Sequence, residues 1–457
     1  MKKNPMKIAA SVFVIVSVIF MLSIFTRIIT KNIIVEKLKI NNSMTQFIMK
    51  GMSVMDAMDE VTGEFYTDID WEKLYPFKQD KDIGDDVTTV VPEKKGFWDK
   101  YKDKVCHIEN VLQDYCDEYL VGRVKFVEQA YAFEKLFQWT LIPYGSANGI
   151  IVKDDGYMTY VSEAIGVTDM ASHIDELNGY LEEREIDMLY VQAPSKIDPI
   201  NPGLPPGVMD YTNDNIDNLL KELAAKGIDV LDLRQFIIDE YDNYEDAFYK
   251  TDHHWKTTTA FRAAQILVEY MNKQGYTSID ENKIATDKFE IETYEKYFLG
   301  SQGKKVTLAV AEPEDYHLMV PKYDTDFTIK IPERNIDMTG EFQDTLLDYR
   351  HLQRIDYYNE NCYASFMNRN DVYGKIINHA SDVDDKKILI IKDSYSTPFI
   401  PYLALGVKEV DSIYKMLFDG SIQTYIEETE PDIVIVMYSV TSMSEDVSSR
   451  SAFFNLE

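Results

Sequence analysis

Three short runs constrain the fold more than anything else in this chain. Asp187 to Ala193 (DMLYVQA), Lys387 to Lys392 (KILIIK) and Asp432 to Tyr438 (DIVIVMY) are apolar at consecutive positions rather than at alternate ones. A strand with no alternation is buried on both faces, the situation of a parallel strand covered by helices above and below. Amphipathic helices fall between them: Asn213 to Lys226, stopped by Gly227, and Thr257 to Met271. Ile228 to Leu233 reads as a further strand. This alternation predicts an α/β domain over residues 150–445, a parallel sheet flanked by helices, with 446–457 as a C-terminal tail. Residues 280–350 break the pattern with polar, β-leaning pieces such as Asp326 to Ile331 (DFTIKI), read as an insertion into the sheet domain.

The N-terminus obeys a different rule. Ile8 to Phe25 is uncharged and almost wholly apolar. As a helix its 18 residues span roughly 27 Å, close to the ~30 Å hydrocarbon core of a bilayer. Lys2, Lys3 and Lys7 precede it, which keeps that end cytoplasmic and exports the rest. The other reading is a cleaved signal peptide, but no small-x-small site follows the apolar run, where Thr26, Arg27 and Ile28 stand. Residues 1–30 are therefore expected to be a transmembrane anchor with its flanks. Residues 31–149 are expected to be a mainly helical stalk or packing region. Within it, Val105, Ile108, Leu112, Tyr115, Tyr119, Phe126 and Phe133 follow helical spacing, so Trp98 to Trp139 reads as one long helix or a helical hairpin.

Composition removes some functions. There are 47 basic and 78 acidic residues, a formal charge of −31. Such a surface repels phosphate backbones and excludes a nucleic-acid partner unless a basic patch offsets it, and the sequence has none. Three cysteines make no disulfide framework. Cys106 and Cys116, about 15 Å apart along one helix, are beyond bridging reach.

Two segments combine reactive residues with exposed positions. Ser394, in Lys392-Asp393-Ser394-Tyr395-Ser396, follows the apolar strand 387–392 and precedes a helix expected near Pro398. The carboxyl end of a parallel strand is where open α/β sheets present functional groups, and the next backbone N–H groups, Tyr395 first, would face a developing oxyanion. A serine needs a histidine base, itself oriented by a carboxylate. Thr251-Asp252-His253-His254-Trp255 supplies both and holds two of the seven histidines. If extended, it puts Asp252 and His254 on one side and His253 with Trp255 on the other. Plainer readings compete. Asp-Ser after a strand often only caps a helix. Asp252, His253 and His254 suit a metal such as zinc or manganese, and Asp-His-His also occurs in phosphoesterases, which need an apolar strand leading into the aspartate. None leads into Asp252.

The string Thr-Asp-His-His-Trp at 251–255 resembles the signature of the DHHW protein family. The run KKILIIKDSYS at 386–396 resembles that family's serine segment. Both are similar to SGNH-hydrolase-like domains of bacterial alginate O-acetyltransferase proteins, in which an Asp-x-His pair precedes the serine. The resemblance covers roughly residues 150–445. It implies a membrane-tethered, extracytoplasmic serine acyl-transfer domain with Ser394 as nucleophile, His254 as base and Asp252 as its orienter. For the oxyanion hole it offers the loop Gly300 to Gly303, with Gly300 and Ser301, and Asn378, since ordinary SGNH hydrolases use a glycine and an asparagine. Lys392 stands where those enzymes have a glycine. The implied partners are an exopolysaccharide or cell-wall polymer and a multispanning membrane O-acyltransferase as acyl donor, and no cofactor is needed. The rival expectation is a non-catalytic envelope protein with the same fold, in which Ser394 and His254 are apart or buried.

Overall fold

In a computed structural model, the structure describes residues 150–443 and 454–456, apart from positions 154, 206 and 368. The anchor expected at 1–30 and the helix expected at Trp98 to Trp139 lie outside the described residues. Among the described residues no helix is long and apolar enough to cross a membrane.

A small hairpin, β1 (Ile151–Val152) with β2 (Met158–Thr159), opens the domain. The strands β3 (Asp187–Gln192) and β4 (Val230–Asp232) follow, then a hairpin of β5 (Phe289–Phe298) and β6 (Glu314–Pro321). A second hairpin, β7 (Phe327–Ile331) with β8 (Ile336–Gly340), leads to β9 (Tyr373–Asn378). The last strands are β10 (Asp384–Lys392), β11 (Val407–Tyr414) and β12 (Ile433–Tyr438). The main sheet has the order β4-β3-β12-β10-β11-β9-β7-β8. Its first five strands are parallel, as the apolar runs predict. The expectation of a purely parallel sheet is corrected at the other edge, where β9, β7 and β8 join antiparallel. The 280–350 stretch is thus divided. β7 and β8 extend the main sheet, while β5 and β6 form their own two-stranded sheet. The alternating burial of β9 fits a strand near an edge, where the two faces differ.

The apolar runs bury both faces as their composition requires. Leu189, Val191, Ile388, Ile390, Ile433, Ile435 and Met437 enter one core, and their chain neighbours Met188, Tyr190, Leu389, Ile391, Val434 and Val436 enter the other. This is the two-residue period of a strand, with both halves filled. The second core is closed by α1 (Thr168–Glu182) and α2 (Thr212–Ala225). In α1 the buried positions Met170, Ala171, Ile174, Leu177 and Leu181 step by three and four. After α2, Gly227 takes a φ of 81°, a left-handed turn that suits glycine and ends the helix. The first core is closed by α3 (Arg234–Glu240) and α4 (Thr257–Gln274), the latter carrying Phe261, Ala264, Leu267 and Val268 inward. The helix expected near Pro398 is the four-residue helix Ile400–Leu403, preceded by the 3-10 turn Ser394–Ser396. With β3, β10 and β12 parallel, the segments after Gln192, Lys392 and Tyr438 all leave one edge of the sheet.

Candidate active site

The serine turn grows directly from β10. Asp393 is buried, and its carboxylate accepts hydrogen bonds from the Tyr395 N–H (3.0 Å), the Ser439 N–H (2.6 Å) and the hydroxyls of Ser439 (2.7 Å) and Ser442 (2.8 Å). Four donors on one carboxylate clamp the turn to the end of β12, so this aspartate holds the backbone while Ser394, partly exposed, keeps its hydroxyl available. Lys392 is fully buried, and its ammonium donates to the carbonyl of Arg369 at 2.9 Å. Burial lowers that lysine to about 8.

The histidine turn has no strand beneath it. An isolated antiparallel bridge between Phe248 and Trp255 closes a loop over Tyr249 to His254. The Glu314 carboxylate, at the start of β6, accepts the N–H groups of Lys250 (2.7 Å) and Thr251 (2.8 Å) and the Thr251 hydroxyl (2.7 Å). Lys196, after β3, donates to the carbonyls of Lys250 and Asp252, both at 2.8 Å. Gly300 and the short helix α5 (Ser301–Val306) close the other side. A Cβ at Gly300 would come within 2.3 Å of the Asp252 Cβ and 2.4 Å of the Thr251 carbonyl oxygen, so only glycine fits. Trp255 and Tyr395 then tie the turns together. The indole N–H of Trp255 donates to the Tyr395 carbonyl (3.1 Å), and the Tyr395 hydroxyl donates to the His253 carbonyl.

This construction brings the three expected groups into one chain. The Ser394 Oγ lies 2.8 Å from His254 Nε2, and His254 Nδ1 lies 2.6 Å from Asp252 Oδ1. The other oxygen of Asp252 accepts the Ser301 N–H at 2.5 Å. Burial works to raise the Asp252 carboxyl, but the imidazoles of His253 and His254 and the Ser301 N–H outweigh it and hold it well below the usual range. An ionised Asp252 keeps the proton of His254 on Nδ1 and leaves Nε2 to accept from serine. Tyr363 stacks on the His254 ring, centroids 4.2 Å apart and planes 24° apart.

The extended conformation expected for 252–254 is corrected: the segment is a turn, so His253 does not point away from Asp252. Its Nδ1 lies 3.3 Å from Asp252 Oδ1 and 3.2 Å from Ser301 Oγ. Asp252, His253 and His254 thus gather ligand atoms within 4.8 Å, a donor set of the kind a metal accepts. Both nitrogens of His254 are, however, committed to Asp252 and Ser394. The oxyanion candidates are placed differently from expectation. The N–H groups of Gly300, Ser301 and Tyr395 already donate to Thr251 Oγ1, Asp252 and Asp393. Asn378 donates to the Ala404 carbonyl (2.9 Å) beyond the amino end of β11, at the opposite edge of the sheet. The Ser394 N–H opens the 3-10 turn, where no intrahelical acceptor exists. Sequence reasoning missed Glu314, Lys196 and Tyr363. Position just after the β3 run could have flagged Lys196, but nothing local marks the other two.

The fold is an SGNH-like α/β fold with a mixed sheet, and the serine–histidine–aspartate chain stands at the carboxyl edge of its parallel strands. Residues 153–318 match the family model described as SGNH hydrolase-like domain, acetyltransferase AlgX, a span that includes Asp252 and His254. Among solved structures, Bacillus cereus PatB1 is similar with a TM-score of 0.55 at 21% identity, over 67% of this chain and 99% of that one. PatB1 solved with a sulfonyl adduct gives 0.54 and 20%, with the same coverage of 67% and 99%. A DHHW family protein from Eubacterium siraeum gives 0.50 and 18%, over 68% of this chain and 96% of that one. No curated protein matches. The resemblance is therefore shown through residues 251–255, while 386–396 lie beyond the matched span, and at these identities the solved structures speak to the fold.

Proposed function

We propose that this chain is a serine O-acyltransferase, acting on acetyl groups as the matched family model suggests. It would move an acyl group to or from a hydroxyl of a cell-wall polymer or exopolysaccharide. In this reading Ile8 to Phe25 anchors a domain lying outside the membrane, and a multispanning membrane acyltransferase supplies the acyl group. The single observation that carries the chemistry is the hydrogen-bonded chain Ser394–His254–Asp252. His254 takes the Ser394 proton as Oγ attacks the acyl carbonyl carbon, and returns it to the leaving group. A hydroxyl or water then attacks the acyl-serine with the same base. The Ser394 N–H, first in the 3-10 turn, is a donor suited to the oxyanion.

The non-catalytic reading requires Ser394 and His254 to be apart or buried, and their 2.8 Å contact beside a partly exposed serine favours catalysis. The test is release of chromophore from an acetyl ester by the full chain in detergent. Ser394→Ala and His254→Ala are each expected to lose about 10³-fold or more with circular dichroism unchanged. Activity that survives in both variants would overturn the assignment.

A further inference from the structure

A cavity of about 250 Å³ adjoins the site without containing Ser394 or His254 in its wall. It is walled by His253 and Tyr395, the chain neighbours of those two residues, and by residues that follow β3 and β12, among them Lys196 and Thr441. It therefore lies at the carboxyl edge of the parallel strands, where α/β sheets bind ligands. Its size is just below the ~300 Å³ lower end of small-molecule pockets, so it takes one small unit rather than a stretch of polymer.

The chemistry of its wall selects the ligand. Most of the hydroxyls are already spent: Ser195 donates to the Ile197 carbonyl, Thr212 to Asp210, and Thr441 pairs with Ser439. His253 and Tyr160 differ. Nδ1 of His253 faces Asp252 and Ser301, and Nε2 has no partner among the described residues. Nδ1 lies 3.3 Å from the Asp252 carboxylate, which favours the tautomer with its proton there and leaves Nε2 as an acceptor. The Tyr160 hydroxyl likewise has no partner among the described residues. An acceptor nitrogen receives an O–H donor, and the ammonium in the wall, Lys196, is already taken by the carbonyls of Lys250 and Asp252. The charge of −31 points the same way.

We propose that this cavity is the acyl-acceptor subsite, and that His253 Nε2 accepts a hydrogen bond from a neutral, hydroxyl-bearing unit the size of one sugar ring, with Tyr160 as its second polar contact. The inference rests on the acyl-transfer reading above. In the transfer step the acceptor oxygen bonds to the acyl carbon of acyl-Ser394 and the Ser394 Oγ–C bond breaks. The acceptor's proton passes through His254 Nε2 to Ser394 Oγ. His253 orients the acceptor while His254 moves the proton.

The experiment measures the ratio of transfer to hydrolysis in the full chain, with a chromogenic acetyl ester as donor and methyl β-glucopyranoside as probe acceptor. This ratio compares two fates of one acyl-enzyme, so slower acylation does not change it. In the wild type it should rise and saturate with glucoside. His253→Ala and the milder Tyr160→Phe should each lower it about tenfold at a fixed subsaturating concentration. A ratio that climbs without saturating, or that stays at the wild-type value in both variants, would overturn the subsite, as would a wild type that hydrolyses the ester but never acylates the glucoside. Failure of the underlying reading looks different: ester cleavage would then persist in Ser394→Ala.

Discussion

The two turns that meet at the site are held by the same device placed at different distances. In the serine turn a buried carboxylate, Asp393, gathers four donors and sits next to the residue it positions. In the histidine turn the gathering carboxylate is Glu314, 63 residues beyond the Thr251 it fixes. Asp393 is rooted on a strand buried on both faces, whereas the histidine turn has only an isolated bridge under it and depends on Glu314, Gly300 and Lys196. The first turn is thus a local consequence of strand and aspartate. The second is a tertiary product, and its geometry is the more easily lost.

That difference is sharpened most by Asp252→Asn. The amide keeps the shape of the turn but reverses the polarity facing His254 Nδ1, so Nε2 carries the proton and no longer accepts from Ser394. Ester cleavage should fall about 10³- to 10⁴-fold with the fold intact. A loss under tenfold would mean that Asp252 acts only as a structural acceptor for the Ser301 N–H.

Gly300→Ala attacks the same turn through sterics. The added carbon meets Asp252 Cβ and the Thr251 carbonyl, both backbone-borne positions that cannot swing aside. Overpacking of this kind costs about 3 kcal/mol, and displacing Asp252 by a fraction of an ångström should cost about 10²-fold in activity. Thermal unfolding and ester cleavage read the two effects. Unchanged activity would show that the histidine turn is as well anchored as the serine turn.

What the sequence revealed follows from this contrast. The runs at 187–193, 387–392 and 432–438 are legible because burial on both faces leaves no polar position in them, and Ser394 is legible because it follows one directly. Asp252 and His254 were found from residue type, yet the conformation that joins them was not: strand alternation sent His253 away, and the turn brings it back to Asp252. The antiparallel edge was missed because short half-buried strands such as β9 resemble loop sequence. Asn378 and the N–H groups of Gly300, Ser301 and Tyr395 suited an oxyanion hole by type. Only the fold shows that each already has an acceptor.

The smallest effect is on stability against pH, and it belongs to the histidine turn alone. Burial, then the neighbouring His254 charge, lowers His253 to about 3 in the folded protein, whereas the unfolded chain takes up that proton near 6.5. The folded state then binds fewer protons, so the stabilisation is fully present above about pH 6.5 and is lost as pH falls toward about 3. One proton gives at most about 1.4 kcal/mol per pH unit, and less here because a quarter of the side chain meets solvent. Asp252, also depressed, adds its loss only below about pH 4. Urea unfolding between pH 7 and 5 should therefore show a slope that flattens in His253→Gln. If the slope is the same in both proteins, His253 takes up its proton equally in the folded and unfolded chains, and the histidine turn is open enough to water that its neighbours no longer govern it.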